Sequence, residues 1–137
     1  MAKHAVYEIF DLLDKVPDKE GRIASLKTIP DSVKTVLKYW LHPDIKFNIP
    51  EGEPPFESHN AVNTHNAFWS EIRRLPIFIV GGGYDHLTNG KRESLFISML
   101  EYIHPKDARL VLNMKDKIWP YETLTVDDIK EAFPGLI

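Results

Sequence analysis

Between Lys91 and Lys117 the chain reads KRESLFISMLEYIHPKDARLVLNMKDK, and this stretch restricts the fold more than any other. Leu95, Phe96, Met99, Leu100 and Ile103 recur at spacings that share one helical face, while Lys91, Arg92, Glu93, Ser98 and Glu101 fall mostly on the other. A buried amphipathic helix is predicted. His104-Pro105 must break it, because a residue before proline is pushed out of the α region and proline offers no amide to a continuing helix. Proline suits a first helical turn, so a second helix opens at Pro105 and carries Ala108, Val111 and Leu112 inward, with Met114 a further candidate. Two helices joined by a tight corner define a core and name no reaction.

The remaining periodicity is helical too. Ala5, Ile9, Leu12, Leu13 and Val16, flanked by Tyr7 and Phe10, predict a helix from about Lys3 to Lys15, stopped by Pro17. Asp18 can cap a short helix holding Ile23 and Leu26 that ends before Pro30, although Gly21 costs about 1 kcal/mol against alanine in a helix interior. Asp31 or Ser32 caps a third, with Val33, Val36, Leu37, Trp40 and Leu41 inward and His42-Pro43 as its stop. Asn66 or Thr64 caps a fourth, holding Phe68, Trp69, Ile72 and Leu75 and interrupted by Pro76. Ile77–Val80 is too short for periodicity to separate a buried strand from a kinked helix; the kinked helix is the reading adopted, closed by Gly81–Gly83. Thr125 caps the last helix, Leu124 to Phe133, with Asp127 and Asp128 in its positive first turn and Pro134-Gly135 as its stop. VLKYWLHPD (Val36 to Asp44) resembles MLEYIHPKD (Met99 to Asp107) once a position is skipped; a shared helix-to-corner device explains so short a match better than a duplicated domain.

The expectation is a mainly α fold: one domain over residues 1–137, a small bundle of about six short helices with a Pro-rich extended arm. The arm and a polar linker occupy residues 44–66. In DIKFNIPEGEPPF, Ile45, Phe47 and Ile49 alternate with polar residues before three prolines, which reads as an extended segment with a short strand before Pro50. SHNAVNTHN (Ser58 to Asn66) shows no helical stripe. The chain has no cysteine, which removes disulfides, thiolate zinc sites and cysteine nucleophiles. No apolar run approaches the roughly 20 residues that span a bilayer, so no membrane partner is expected. A formal charge of −3 weakens any general grip on nucleic acid.

Five constellations are candidate sites. The order IFIV, GGGYDHLTNGKRES, helix imitates a phosphate-binding loop, but Asp85 stands where the first glycine is needed and Arg92 where a serine or threonine would hold magnesium, so a structural turn is preferred and no cofactor is expected. His42, His59, His65, His86 and His104 lack metal-ligand spacing, and two of them precede proline at helix ends, where capping explains them and no metal is needed. Asp85-His86 and His104 with Asp107 are the best acid-base pairs, yet neighbours in a chain seldom converge on one substrate, and the expectation is a protein without catalytic residues. Arg73, Arg74, Lys91 and Arg92 beside Trp69 and Tyr84 offer a weak nucleic-acid face, more simply a solvated helix face. The arm ranks first: Phe47, Ile49 and Phe56 among Pro50, Pro54 and Pro55 form a stiff segment whose apolar side chains can fill a partner's pockets, the alternative being that they fold back onto their own helices. The partner-binding residues expected are therefore Phe47, Ile49, Phe56, Trp69, Arg73 and Arg74.

NIPEGEPPF (Asn48 to Phe56), RESLFISMLEYIHPKDARLVLNMKDK and IKEAFPGLI (Ile129 to Ile137) also resemble an uncharacterised family of small proteins of T4-like tailed phages and their marine cyanophage relatives, over about Ile45 to the carboxyl end. The resemblance implies a viral protein made in host cytoplasm and carries over no catalytic residue. The functional expectation is a non-enzymatic accessory protein that binds a macromolecule, with host RNA polymerase or phage transcription and replication machinery as the first partner class. A virion or assembly component is the first alternative and a small hydrolase-type enzyme the second.

Overall fold

Thr88 sets the start of the central helix. Its hydroxyl accepts the Lys91 amide at 3.2 Å, so the helix begins two residues before the charged run that marks it in the sequence. The computed structural model describes residues 4–57 and 66–137. The described residues form α1 (Val6–Asp14), α2 (Lys19–Leu26), α3 (Asp31–Leu41), α4 (Ala67–Glu71), a 3-10 segment (Ile72–Phe78), α5 (Asn89–Tyr102), α6 (Pro105–Lys115) and α7 (Val126–Ala132). The fold is mainly α, as its apolar spacing predicts, with one α-helix more than the about six expected from caps and breakers. Thr64, the linker residues 58–65 and Lys3 lie outside the described residues; His4 and Ala5 are described and precede the amino-terminal helix, which starts at Val6 with Ala5 at its cap position.

α6 is the hub, packing against α1, α3 and α5. Pro105 opens it, the imidazole of His104 accepting the Lys106 amide at 3.0 Å, and Ala108, Leu110, Val111, Leu112 and Met114 are buried along it. Phe96, Met99, Leu100 and Ile103 meet it from α5, and each fully buried side chain of this size contributes about 1.5–3 kcal/mol over exposure. Phe10, Trp40, Trp119 and Tyr121 form an edge-to-face and stacked cluster with centroids 4.8–6.4 Å apart. Burial, helped by Asp11 and Asp14, raises the Tyr121 phenol pKa and keeps it neutral.

Several local readings change. The residue before α3 is Pro30, with no side-chain cap bond, so Asp31 is the first helical residue and not a cap; its charge still suits the positive end. In α2 the Asp18 carboxylate does accept the Gly21 amide at 2.8 Å, and a Cβ on Gly21 would sit 2.9 Å from that carboxylate, which accounts for a glycine inside a helix. The Ile77–Val80 run is divided: 3-10 structure continues through Phe78, whereas Ile79 is extended and makes an isolated antiparallel bridge with Phe47. Among the described residues that bridge is all that forms of the short strand expected before Pro50. A Cβ at Gly82 would lie 2.3 Å from the Pro76 carbonyl oxygen, so only glycine allows the chain to fold back there.

Arg92 corrects the helical-wheel reading. Assigned to the solvent face, it is 2% exposed. Its guanidinium turns back along α5 and donates to the Leu87 carbonyl at 2.8 Å, the Asn89 side chain at 2.9 Å and, more weakly, the Asp85 carbonyl at 3.5 Å. A planar fork can serve several acceptors at fixed angles and an ammonium cannot. Arg92→Lys is expected to lose about 1–3 kcal/mol in urea unfolding, the cost of leaving such acceptors unmet; an unaltered unfolding midpoint would mean that the loop from Tyr84 to Thr88 does not depend on the fork.

Candidate docking surface on α5

The arm is not a free excursion. The Asn48 amide donates to the Phe78 carbonyl at 2.7 Å and the Val80 amide to the Lys46 carbonyl at 2.9 Å, which stitches it to the end of the 3-10 segment. Farther on, α6 holds it from beneath. Lys115, buried to 5% exposure, donates from Nζ to the Pro50 and Gly52 carbonyls at 2.9 Å each and to Asp116. The Gly52 amide returns a bond to Asp116 at 3.3 Å, Arg109 pairs with Glu53 at 2.9 Å, and the Glu57 amide donates to Glu101 at 2.9 Å. Phe47, Ile49 and Phe56 accordingly lie half-buried against the core. These side chains have folded back onto their own helices, the alternative weighed for them, and the arm acts as a wall.

That wall creates concave surface. Two adjoining hollows of about 280 and 250 Å³ lie between arm and α5 and share Ile49, Pro50 and Glu93. The first adds Phe96 and Ile97 from α5 and Glu51, Glu53 and Pro54 from the arm; the second adds Phe47 and Asn89. On the other flank of α5 a larger groove of about 480 Å³ runs along the 3-10 segment, floored by Ile77, Phe78, Leu95 and Met99 and rimmed by Ser98 and Tyr102. Glu71 and Arg74 line its end and pair at 3.3 Å. The edge-on contact of Phe78 with Phe96, centroids 5.2 Å apart, joins the groove wall to the hollow wall. α5 thus buries one stripe and leaves a groove on each side of it.

The remaining sequence candidates separate from one another. Trp69 is half-buried and its indole donates to the His4 carbonyl at 2.8 Å. Arg73 is exposed, Arg74 is tied to Glu71, and Arg92 is buried, so the four-cation face considered for nucleic acid loses a member. In the glycine loop both Asp85 oxygens accept the Gly81 amide, at 3.0 and 3.1 Å, and the segment before it is 3-10; the strand that a phosphate loop requires does not form among the described residues. His42 accepts the Asp44 amide at 3.1 Å as His104 accepts that of Lys106, so the two His-Pro corners share an imidazole-to-amide bond, which caps a helix only at Pro105. The Asp107 carboxylate accepts the Tyr7 amide at 2.8 Å, and Tyr7 stacks on the His104 ring at 5.0 Å. His86 is exposed and stacks on Tyr84. No group of three or more metal-ligating side chains converges among the described residues, and His59 and His65 lie outside them. No described helix is long and apolar enough to cross a membrane.

A family model, described as a family of unknown function (DUF6433), matches residues 9–119. The chain belongs to that family. No curated protein and no solved structure matches it. The DUF6433 match takes in both flanks of α5, the arm and the whole of α6, and stops short of α7.

Sequence reasoning did not single out Leu95, Met99, Ser98 and Tyr102 as a surface. Apolar and aromatic residues on a core helix read as core, and that their flank borders a groove along Ile72–Phe78 is a tertiary feature. Tyr102, 57% exposed beside the terminating His104-Pro105, was the one signal that could have shown it.

Proposed function

We propose that this DUF6433 protein is a non-enzymatic accessory protein that docks a partner protein along α5. The observation that carries the reading is the larger groove. It has an apolar floor, an exposed aromatic rim and, at its end, a carboxylate already neutralised by its own arginine, Glu71 with Arg74. Apolar concavity with a tyrosine at the edge is what an anchoring side chain of a partner needs, whereas catalysis needs convergent unpaired polar groups. Of the candidates for acid-base work, Asp85, His104 and Asp107 are engaged with backbone amides and His86 stacks on Tyr84, which favours the binding reading over a hydrolase.

The likeness of Asn48 to Phe56 and Arg92 to Lys117 to proteins of T4-like tailed phages supports a viral role in host cytoplasm, with host RNA polymerase or the phage transcription and replication machinery as the partner class. A virion or assembly component is the second reading, favoured by the same likeness. Ser98 is exposed, so Ser98→Trp fills the groove without entering the core. Affinity capture from phage-infected cells, read by mass spectrometry, is expected to recover one stoichiometric partner with the native chain and to lose it with Ser98→Trp at unchanged thermal stability. Equal recovery by both proteins would remove the groove from the interface, and finding the chain stoichiometric in washed particles would favour the virion reading.

A further inference from the structure

The second flank of α5 has a different character. The hollows between arm and helix offer apolar surface in Phe47, Ile49 and Ile97, backed by buried Phe96, and carboxylates in Glu51, Glu53 and Glu93, and neither Lys nor Arg lines them. Glu53 is answered by Arg109 at 2.9 Å. Glu51 and Glu93 have no ion pair among the described residues, and the nearest buried cation under the arm, Lys115, is spent on two carbonyls and Asp116. The trough is therefore apolar at its base and negative at its rim. The hollows, at about 280 and 250 Å³, stand at the lower edge of the roughly 300–1,000 Å³ of small-molecule sites. Two adjoining side-chain hollows flanking a shared glutamate fit consecutive residues of a peptide better than a compact ligand.

We propose that the trough between arm and α5 binds a short segment of a partner protein in which a Lys or Arg stands beside an apolar side chain, the cation against Glu51 and Glu93 and the apolar group against Ile97 and Ile49. Charge complementarity selects this occupant: an acidic or uncharged segment would leave two carboxylates desolvated without compensation. The arm is already fastened by Lys115, Arg109 and its bridge to Ile79, so the site is formed before the segment arrives and binding is spared the cost of ordering thirteen residues of chain from Asp44 to Phe56. The inference extends the partner-binding reading to a separate surface and does not depend on the larger groove.

The test pans a random nonapeptide display library against the full chain, then measures the enriched peptides by fluorescence anisotropy. Enriched sequences are expected to carry Lys or Arg next to Leu, Ile, Phe or Met. Their affinity should fall roughly tenfold in the Glu51→Gln/Glu93→Gln double variant, fall with added salt as a surface ion pair does, and be unchanged in Ser98→Trp. Both glutamates reach solvent, so the double variant keeps its fold, which its unfolding midpoint checks. Failure to enrich any sequence, enrichment of acidic or purely apolar sequences, or full affinity in the double variant would each overturn the proposal. Peptides lost in Ser98→Trp and retained in the double variant would also overturn it, while leaving the larger groove as the docking site.

Discussion

Replacing Asp128 with alanine is expected to destabilise the protein by about 3–5 kcal/mol, the usual consequence of stranding one partner of a buried ion pair. Asp128 is 1% exposed, and one of its oxygens accepts both the Thr125 amide at 3.0 Å and Arg22 Nε at 2.9 Å. Arg22 in turn donates to the Val16 and Pro17 carbonyls at 3.0 and 3.1 Å, so one guanidinium fastens the α1–α2 turn to the start of α7. Asp128→Ala removes half of the Thr125 capping box and leaves that guanidinium without its counter-charge. Global stability of a domain is about 5–15 kcal/mol, so the loss is a large share of it. Arg22→Met combined with Asp128→Leu should recover part of the loss, because an apolar pair replaces the ion pair at little cost while the Val16 and Pro17 carbonyls and the Thr125 amide still lack their side-chain partners.

The same site sets a pH dependence. Burial alone would raise the Asp128 carboxyl pKa, but the Thr125 amide and the Arg22 guanidinium outweigh it and hold the carboxyl below its ordinary value. A carboxyl depressed in the folded state stabilises fully above its unfolded pKa of about 4 and loses that contribution as pH falls through the folded pKa. Urea unfolding should therefore show the gap between native protein and Asp128→Ala at full size at pH 7 and narrowing below about pH 4. A gap that stayed constant down to about pH 2 would assign the loss to packing alone.

Apolar spacing carried the helices well because each of α1, α3, α5 and α6 buries a stripe that a 3.6-residue period must display. Caps and breakers placed most ends, the His-Pro corners above all, since His42 and His104 act on amides two residues away. What stayed hidden is tertiary. Arg92 has a solvent-face position on the wheel, and nothing local announces that its fork returns to Leu87; Arg22 and Asp128 stand 106 residues apart. The arm was found by its prolines, but its docking depends on Lys115, which in a run ending NMKDK looks like an ordinary cation at a helix carboxyl end. Of the residues expected to bind a partner, Phe47 and Ile49 line the hollows and Arg74 the larger groove, while Phe56, Trp69 and Arg73 line none of these concavities.

Lys115 supplies the other large effect. Lys115→Met keeps the length and apolar volume of the stem and removes only the ammonium, so the Pro50 and Gly52 carbonyls and the Asp116 carboxylate lose their shared donor. Leaving a fully buried acceptor unmet costs about 1–3 kcal/mol, an upper bound for these part-buried ones. Because the arm can lift and let water in, the expected global loss is about 2–4 kcal/mol, smaller than the sum. The sharper signature is local. Hydrogen exchange at Gly52, whose amide donates to Asp116, should accelerate by an order of magnitude or more, with Asn48, held in the bridge to Ile79, and the α6 amides changed only as far as the global loss requires. The arm would then still carry its bridge to Ile79 but lose the anchor at its middle, and the hollows it walls would open. Peptides that bind the native trough should bind Lys115→Met more weakly even though the substituted side chain lies under the arm and touches none of the hollows, since the ordering cost returns to the binding step. Unchanged exchange at Gly52 would show that the bridge to Ile79, the Arg109–Glu53 pair and the prolines suffice to hold the arm in place, and with that the Lys115 clamp would have no part in forming the surface.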